Sequence, residues 1–99
     1  MGGWVCIMAS APHGTLYAGV TSDISRRVFE HREGVGGAFC RRYGVRRLVH
    51  SEPFGDISNA IHREKRLKKW PRAWKIKLIE ETNSRWEDLY ETILDWGPL

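Results

Sequence analysis

Trp4-Val5-Cys6-Ile7-Met8 and Leu16-Tyr17-Ala18-Gly19-Val20 are the two stretches whose reading decides the fold. The first is a short apolar run with the look of a strand. The second alternates. Leu16, Ala18 and Val20 point to one face, and Thr15, Tyr17 and Gly19 to the other. Between them Ser10-Ala11-Pro12-His13-Gly14 is rich in turn formers, so the pair reads as an antiparallel hairpin. Tyr17, flanked on its polar face by the small Thr15 and Gly19, is an accessible phenol or a half-buried strand tyrosine.

Working outward, Ser22 or Asp23 caps a helix that runs to about Arg32 and ends at Gly34. Gly34 to Gly37 reads as a flexible loop. Arg46 to Glu52, through Leu48 and Val49, is a third and weaker strand. Asp56 caps a second helix from Ile57 to about Trp70. Pro71 suits the first turn of the next helix, which reaches about Glu81. Ser84-Arg85-Trp86-Glu87 has the capping-box spacing, with a last helical turn or two following it through Tyr90. The order ββαβααα predicts an α+β fold, a three-stranded antiparallel sheet flanked by helices.

Ninety-nine residues hold one domain, 1–99, with a core over about 4–90. At 41% hydrophobic and 28% charged residues the chain belongs with globular rather than disordered or fibrous proteins. No apolar run approaches the roughly 20 residues that span a bilayer, so no membrane partner is expected. No basic and apolar leader opens the sequence, which predicts a cytoplasmic protein with Cys6 and Cys40 as free thiols. The four histidines and two cysteines show no zinc-site spacing. The net charge of +4 hides an asymmetry. Between Arg26 and Lys77 lie 15 of the 16 Lys and Arg with only five acids, whereas residues 78–99 carry six acids and one Arg. A basic middle and an acidic tail suit a face that meets a polyanion, or simply solvated helices.

Several polar residues sit where apolar ones are expected. The second helix has an apolar stripe of Ile57, Ala60, Ile61 and Leu67, and the missing step in it is Glu64. A carboxylate on a core-facing stripe is costly unless it is paired, protonated or bound to a cation. On the first helix Arg27 and His31 are four apart and flank the apolar pair Ile24 and Val28, at the border of core and solvent.

These pieces resemble the GIY-YIG nuclease superfamily, in particular its small single-domain, YhbQ-like bacterial branch. The resemblance rests on Leu16-Tyr17-Ala18-Gly19-Val20-Thr21-Ser22-Asp23-Ile24, then Arg26-Arg27, Glu30-His31, Phe39, Tyr43-Gly44 and Leu48-Val49. It continues through Ala60, Arg63-Glu64-Lys65, Leu67-Lys68-Lys69-Trp70, Trp74-Lys75 and Asn83-Ser84-Arg85-Trp86-Glu87-Asp88-Leu89-Tyr90, covering about residues 4–90 in order. It implies a divalent-metal-dependent endonuclease that hydrolyses phosphodiesters in nucleic acid, DNA rather than RNA, in repair or recombination. Carried over by position, the second-motif tyrosine is Tyr17, the helix arginine Arg27, the following histidine His31 and the metal-binding glutamate Glu64. Cys6 stands where the first motif ends in a tyrosine, and Ala18 replaces the more usual isoleucine. Asn83 is a weak match for an asparagine often found after the glutamate helix.

On this reading Glu64 holds one Mg2+ or Mn2+ with waters and substrate oxygens. Arg27 grips a non-bridging phosphate oxygen. Tyr17 positions or deprotonates the attacking water, and a cation must assist because a phenol's ordinary pKa is near 10. His31 orients Tyr17 or a phosphate. A Cys6 thiolate would serve as base only with a pKa below about 8.5, and a small buried strand cysteine is the simpler reading. Arg41, Arg42, Tyr43, Arg63, Lys65, Lys68, Lys69 and Arg72 are the expected nucleic-acid contacts, with Phe39 or Tyr43 stacking on a base. The absence of a separate targeting segment in the sequence leaves room for a protein partner that supplies specificity. The alternative is a catalytically weakened or inactive nucleic-acid-binding module, because Cys6 replaces the motif tyrosine.

Overall fold

A computed structural model describes residues 1–35 and 37–94; Gly36, in the expected glycine loop, and residues 95–99, in the expected domain, lie outside that description. The hairpin is present. Strands β1 (Gly3–Ala9) and β2 (Leu16–Thr21) pair antiparallel, with Cys6 opposite Gly19 and Met8 opposite Tyr17. Strand β3 (Arg47–Phe54) pairs antiparallel with the other edge of β1, giving the three-stranded order β2-β1-β3. All seven residues of β1 are buried, because helices cover the central strand on both faces.

One face carries Trp4, Cys6 and Met8. Against it pack Ile24 and Val28 of α1 (Ile24–Arg32), Cys40 of α2 (Ala38–Tyr43) and Ile93 of α5 (Tyr90–Leu94). Tyr17 lies on this same side, so its strand face meets helices rather than open water. The other face carries Val5, Ile7 and Ala9 against Ala60 and Leu67 of α3 (Ile57–Lys69) and Ile79 of α4 (Arg72–Thr82). Such alternating sides follow from the two-residue period of a strand.

The caps explain the helix limits. Asp23 accepts from the Arg26 amide and starts α1. Its end is a Schellman turn: the Gly34 amide bonds the His31 carbonyl, the Val35 amide bonds the Glu30 carbonyl, and Gly34 takes φ +80°. Asp56 caps α3 through the Ser58 amide, and Pro71 precedes α4.

Three expectations need correction. First, α2 fills part of the stretch between α1 and β3 that the sequence left without an element; it is six residues long and too short for a periodic signal. Second, Ser84-Arg85-Trp86-Glu87 is not a capping box. Asn83 takes that work, its Oδ1 accepting from the Glu87 amide and its Nδ2 donating to the carbonyls of Glu87 and Val49. The helix starts at Tyr90, where it was expected to end, and its amide is met by Asp88. Third, Ile61 is exposed: the buried side of α3 runs through Ala60 and Leu67, with Ile61 on its flank. Among the described residues no helix is long and apolar enough to cross a membrane.

Candidate active site on the β1–β2 face

The site begins at the Cys6–Gly19 pair in the middle of the hairpin. A side-chain carbon at Gly19 would stand 3.2 Å from Tyr17 Cε2 and 3.7 Å from its hydroxyl oxygen. The Tyr17 ring therefore lies along its own strand over Gly19, with the hydroxyl toward the Cys6 register. Glycine is needed here for room rather than for backbone freedom.

Two charges from different helices reach the same point. The Cys6 thiol, 1% exposed, feels Arg27 from α1 and Glu64 from α3. Burial dominates its chemistry and pushes its pKa up to about 11, against the smaller opposing effects of Arg27 and the Gly19 backbone. Cys6 is thus a protonated thiol at neutral pH, and a thiolate base at this position does not fit.

His31 is more buried than its place at the edge of the apolar stripe implied. It is 1% exposed, and neither ring nitrogen has a hydrogen-bond partner of good geometry among the described residues. Burial first, and then the Arg27 charge, holds its pKa below the ordinary value; the Val45 backbone and Glu30 act weakly the other way. The imidazole is neutral at pH 7. Its ring stands 5.6 Å from that of Tyr17, centre to centre. Arg27 Nε is likewise buried without a partner. Arg27 Nε and the His31 ring nitrogens are thus poorly satisfied for buried polar atoms, the Val45 backbone being a weak partner of the imidazole.

Glu64 is the remaining member. Its side chain is 13% exposed, and its one ion pair among the described residues is with Lys68, at 3.4 Å. No cluster of three His, Cys, Asp or Glu side chains suited to a metal occurs among the described residues. A cation enclosed by protein ligands does not fit this arrangement. One held by the under-partnered Glu64, waters and substrate oxygens does.

From Tyr17 an aromatic row leads outward: Phe39 lies 6.3 Å from Tyr17, and Tyr43 4.8 Å from Phe39. Both are exposed on α2, beside exposed Arg41 and Arg42. Sequence reasoning had the residues without the helix; Arg41-Arg42 followed by the left-handed Gly44 was the available signal for a helix end. The residues named here join the two motifs, α1 and α3 at one place, in the order of a known pattern. The GIY-YIG catalytic domain matches residues 2–77.

The chain belongs to the GIY-YIG family.

Relatives of this GIY-YIG chain include the UPF0213 protein YhbQ of Escherichia coli K12, 35% identical over 78 residues, or 79% of this chain and 78% of that protein. A UPF0213 protein of Halobacterium salinarum is 44% identical over 66 residues, 67% of this chain and 86% of its own. Among solved structures, the solution NMR structure of the UPF0213 protein BH0048 from Bacillus halodurans is 30% identical with a TM-score of 0.56, covering 89% of this chain and 93% of that one.

The basic residues of the GIY-YIG chain do not all face solvent freely. Arg63 gives Nε and Nη2 to the two oxygens of Glu52 at 2.9 and 3.1 Å and stacks 5.0 Å above the Trp70 ring centre. His50 meets the same carboxylate at 2.8 Å. Arg72 reaches the hairpin turn, donating to the carbonyls of His13 and Gly14 at 2.7 and 2.6 Å. Both arginines, expected on phosphates, are occupied within the fold. Lys65 and Lys69 are exposed, and Lys68 is exposed beside Glu64. Asn83 has its amide committed to backbone and is a structural residue.

Proposed function

We propose that this protein is an endonuclease that hydrolyses phosphodiester bonds in nucleic acid, DNA in preference to RNA, using one Mg2+ or Mn2+. The observation that carries this reading is the common neighbourhood of Arg27, Glu64 and Tyr17 around the Cys6–Gly19 pair, with the Arg27 Nε and His31 nitrogens poorly satisfied.

Tyr17 holds the attacking water and, having first given up its own proton to solvent, takes the water's proton as the phenolate while the water oxygen bonds to phosphorus. Arg27 binds a non-bridging oxygen, where a guanidinium gives charge and direction together. Neutral His31 both accepts and donates hydrogen bonds, and so steadies Tyr17 or a phosphate oxygen. Glu64 holds the cation, which when bound supplies charge neutralisation at the phosphate and at the departing 3′-oxygen. The P–O bond to that oxygen breaks and a solvent water protonates it, leaving a 3′-hydroxyl and a 5′-phosphate. Arg41, Arg42, Lys65 and Lys69 guide the backbone, and Phe39 and Tyr43 offer stacking faces. Work in repair or recombination is what the likeness to GIY-YIG nucleases suggests, and a partner protein would lend specificity.

A second reading is favoured by Cys6. With its thiol protonated, Tyr17 is the only phenol at the centre among the described residues, which suits a weakened enzyme or a binding module. The test is cleavage of plasmid, branched DNA and RNA with Mg2+ or Mn2+ by wild type, Glu64→Ala and Cys6→Tyr. Metal-dependent cutting by wild type that disappears in Glu64→Ala supports the nuclease. Cutting that survives Glu64→Ala overturns the site. An inactive wild type with an active Cys6→Tyr establishes the second reading.

A further inference from the structure

At the end of the sheet where β1 runs into Ser10, a cavity of about 400 Å3 opens between the end of α1 and the start of β3. Ser10, Arg32, Glu33, Gly44, Arg46, Arg47 and Asp88 line it. It shares no residue with the candidate active site, although Arg32 follows His31 directly.

The charges in this cavity do not cancel. Asp88 is fully used: one oxygen pairs with Arg32, and the other accepts from the amides of Leu48 and Tyr90. Arg32, laid over the Tyr90 ring at 4.5 Å, and Asp88 therefore neutralise each other. Arg47 is half-buried and gives Nη1 to the Trp86 carbonyl at 2.8 Å, a neutral partner. Arg46 has no carboxylate partner among the described residues. Its Nη2 lies 3.2 Å from where a side chain on Gly34 would begin, at the C-terminal end of α1. Glu33 is exposed and pairs with neither arginine. With Arg32 and Asp88 paired to each other, Arg46 and Arg47 share the cavity with the single carboxylate of Glu33, so it keeps one excess positive charge, and Arg47 is partly out of water. A buried charge ordinarily finds a partner or a ligand.

We infer that this cavity binds a phosphoryl group through Arg46 and Arg47. Charge alone would accept any anion here, but a phosphate monoester brings three acceptor oxygens, enough to meet both guanidiniums and the Ser10 hydroxyl at once. Planar forks from two arginines can bracket such a group. Ser10 and the Gly44 backbone border the space that the rest of a nucleotide would fill. The group comes from a free nucleotide or phosphate, or from a phosphate of a nucleic-acid strand.

The experiment follows amide shifts of Gly44, Arg46 and Arg47 in the 15N-labelled full chain, at constant ionic strength. Inorganic phosphate, a nucleoside 5′-monophosphate, and oligonucleotides with and without a 5′-phosphate are the probes. Saturable shifts are expected at these residues, weakened at least tenfold in Arg46→Gln and absent in Arg46→Glu. Arg46 is exposed but stands at the C-terminal end of α1, so Arg46→Gln should melt close to wild type, whereas Arg46→Glu puts a negative charge at that helix end and is titrated below its own, somewhat lower, melting temperature. Saturation by phosphate and monophosphate alone assigns a free ligand. A preference for the 5′-phosphorylated strand that Arg46→Glu erases assigns a strand end, and equal loss for both strands assigns a backbone phosphate. Unsaturating shifts with every probe, or Arg46→Glu titrating as wild type does, overturn the inference. Repeating the series in Glu64→Ala separates the two sites: retained cleavage in that variant would sink the nuclease centre while leaving the pocket data intact.

Discussion

The Tyr17 ring lies along its strand because residue 19 has no side chain. Gly19→Ala puts a carbon 3.2 Å from the ring, so the ring must shift by a few tenths of an ångström. Catalysis is sensitive to such displacements. Gly19→Ala should therefore lower kcat with little change in melting temperature, whereas Tyr17→Phe should lower kcat by about 10²- to 10⁴-fold, the usual worth of a general base. Steady-state cleavage with thermal melting measures both, and equal rates for Tyr17→Phe and wild type would remove the phenol from the reaction. Cys6 was read correctly as a small strand cysteine, since a thiol on an all-apolar run has little to lower its pKa. The depth of His31 could not be read. Helical spacing places a residue on a face, but only the segments packed against α1, with α5, β3 and β1 among them, determine how far water is excluded.

Elements α2 and α3 present the exposed basic side chains, and they divide the arginines into two kinds. Arg41 and Arg42 are open on α2, so Arg42→Ala should weaken nucleic-acid binding and reduce the salt slope by about 0.9 per lost phosphate contact. Arg63 on α3 braces Glu52 instead. Arg63→Ala should cost on the order of 2 kcal/mol of stability with the salt slope unchanged, because it leaves Glu52 half-buried beside His50 alone. Titrations at several salt concentrations together with denaturant melts distinguish the two effects. The sequence could not separate these arginines, since pairing across 11 residues depends on how α3 lies over β3. Strands, caps and the Gly34 stop were legible because they are local: Asp23, Asp56 and Gly34 act within a turn. The β3 register, which passes from Ile7–His50 to Met8–Leu48 and skips Val49, was not, because a bulge answers to packing rather than to its own residues. The same holds for Asn83, whose partners Val49 and Glu87 come from two separate segments. At the site, Glu64 stood out as a break in an apolar stripe, Arg27 as the flank of one, and Tyr17 as a phenol between small neighbours on the polar face of its strand; their meeting point required the sheet.

At the scale of the whole molecule, two groups tie stability to acidity. Burial alone would raise the Glu52 pKa, but hydrogen bonds from His50 and Arg63 outweigh it and bring it down to about 2 from 4.5. The unfolded chain therefore takes up this proton first, and stability falls as the pH drops from about 4.5 toward 2, by about 3 kcal/mol in all. His31 has the same sign. Its folded pKa is lowered by burial and Arg27, so stability is complete above pH 6.5 and declines below it as the unfolded imidazole protonates. Melting temperature against pH should show an early decline from His31 and a steeper one from Glu52. The steeper limb should be missing in Glu52→Gln, and an unchanged limb there would acquit the carboxylate. The hairpin turn has a different dependence. Its tip, with His13 at φ +59°, is where a two-stranded ribbon would ordinarily open first, but Arg72 of α4 fastens both the His13 and Gly14 carbonyls. Chain motion at the tip is thereby coupled to a helix distant in sequence. In hydrogen exchange, Arg72→Ala should release the amides of Ser10, Gly14 and Thr15 while those of α3 exchange as before. The strand that carries Tyr17 would then breathe from its turn inward, with Tyr17 only one residue in from the loosened end.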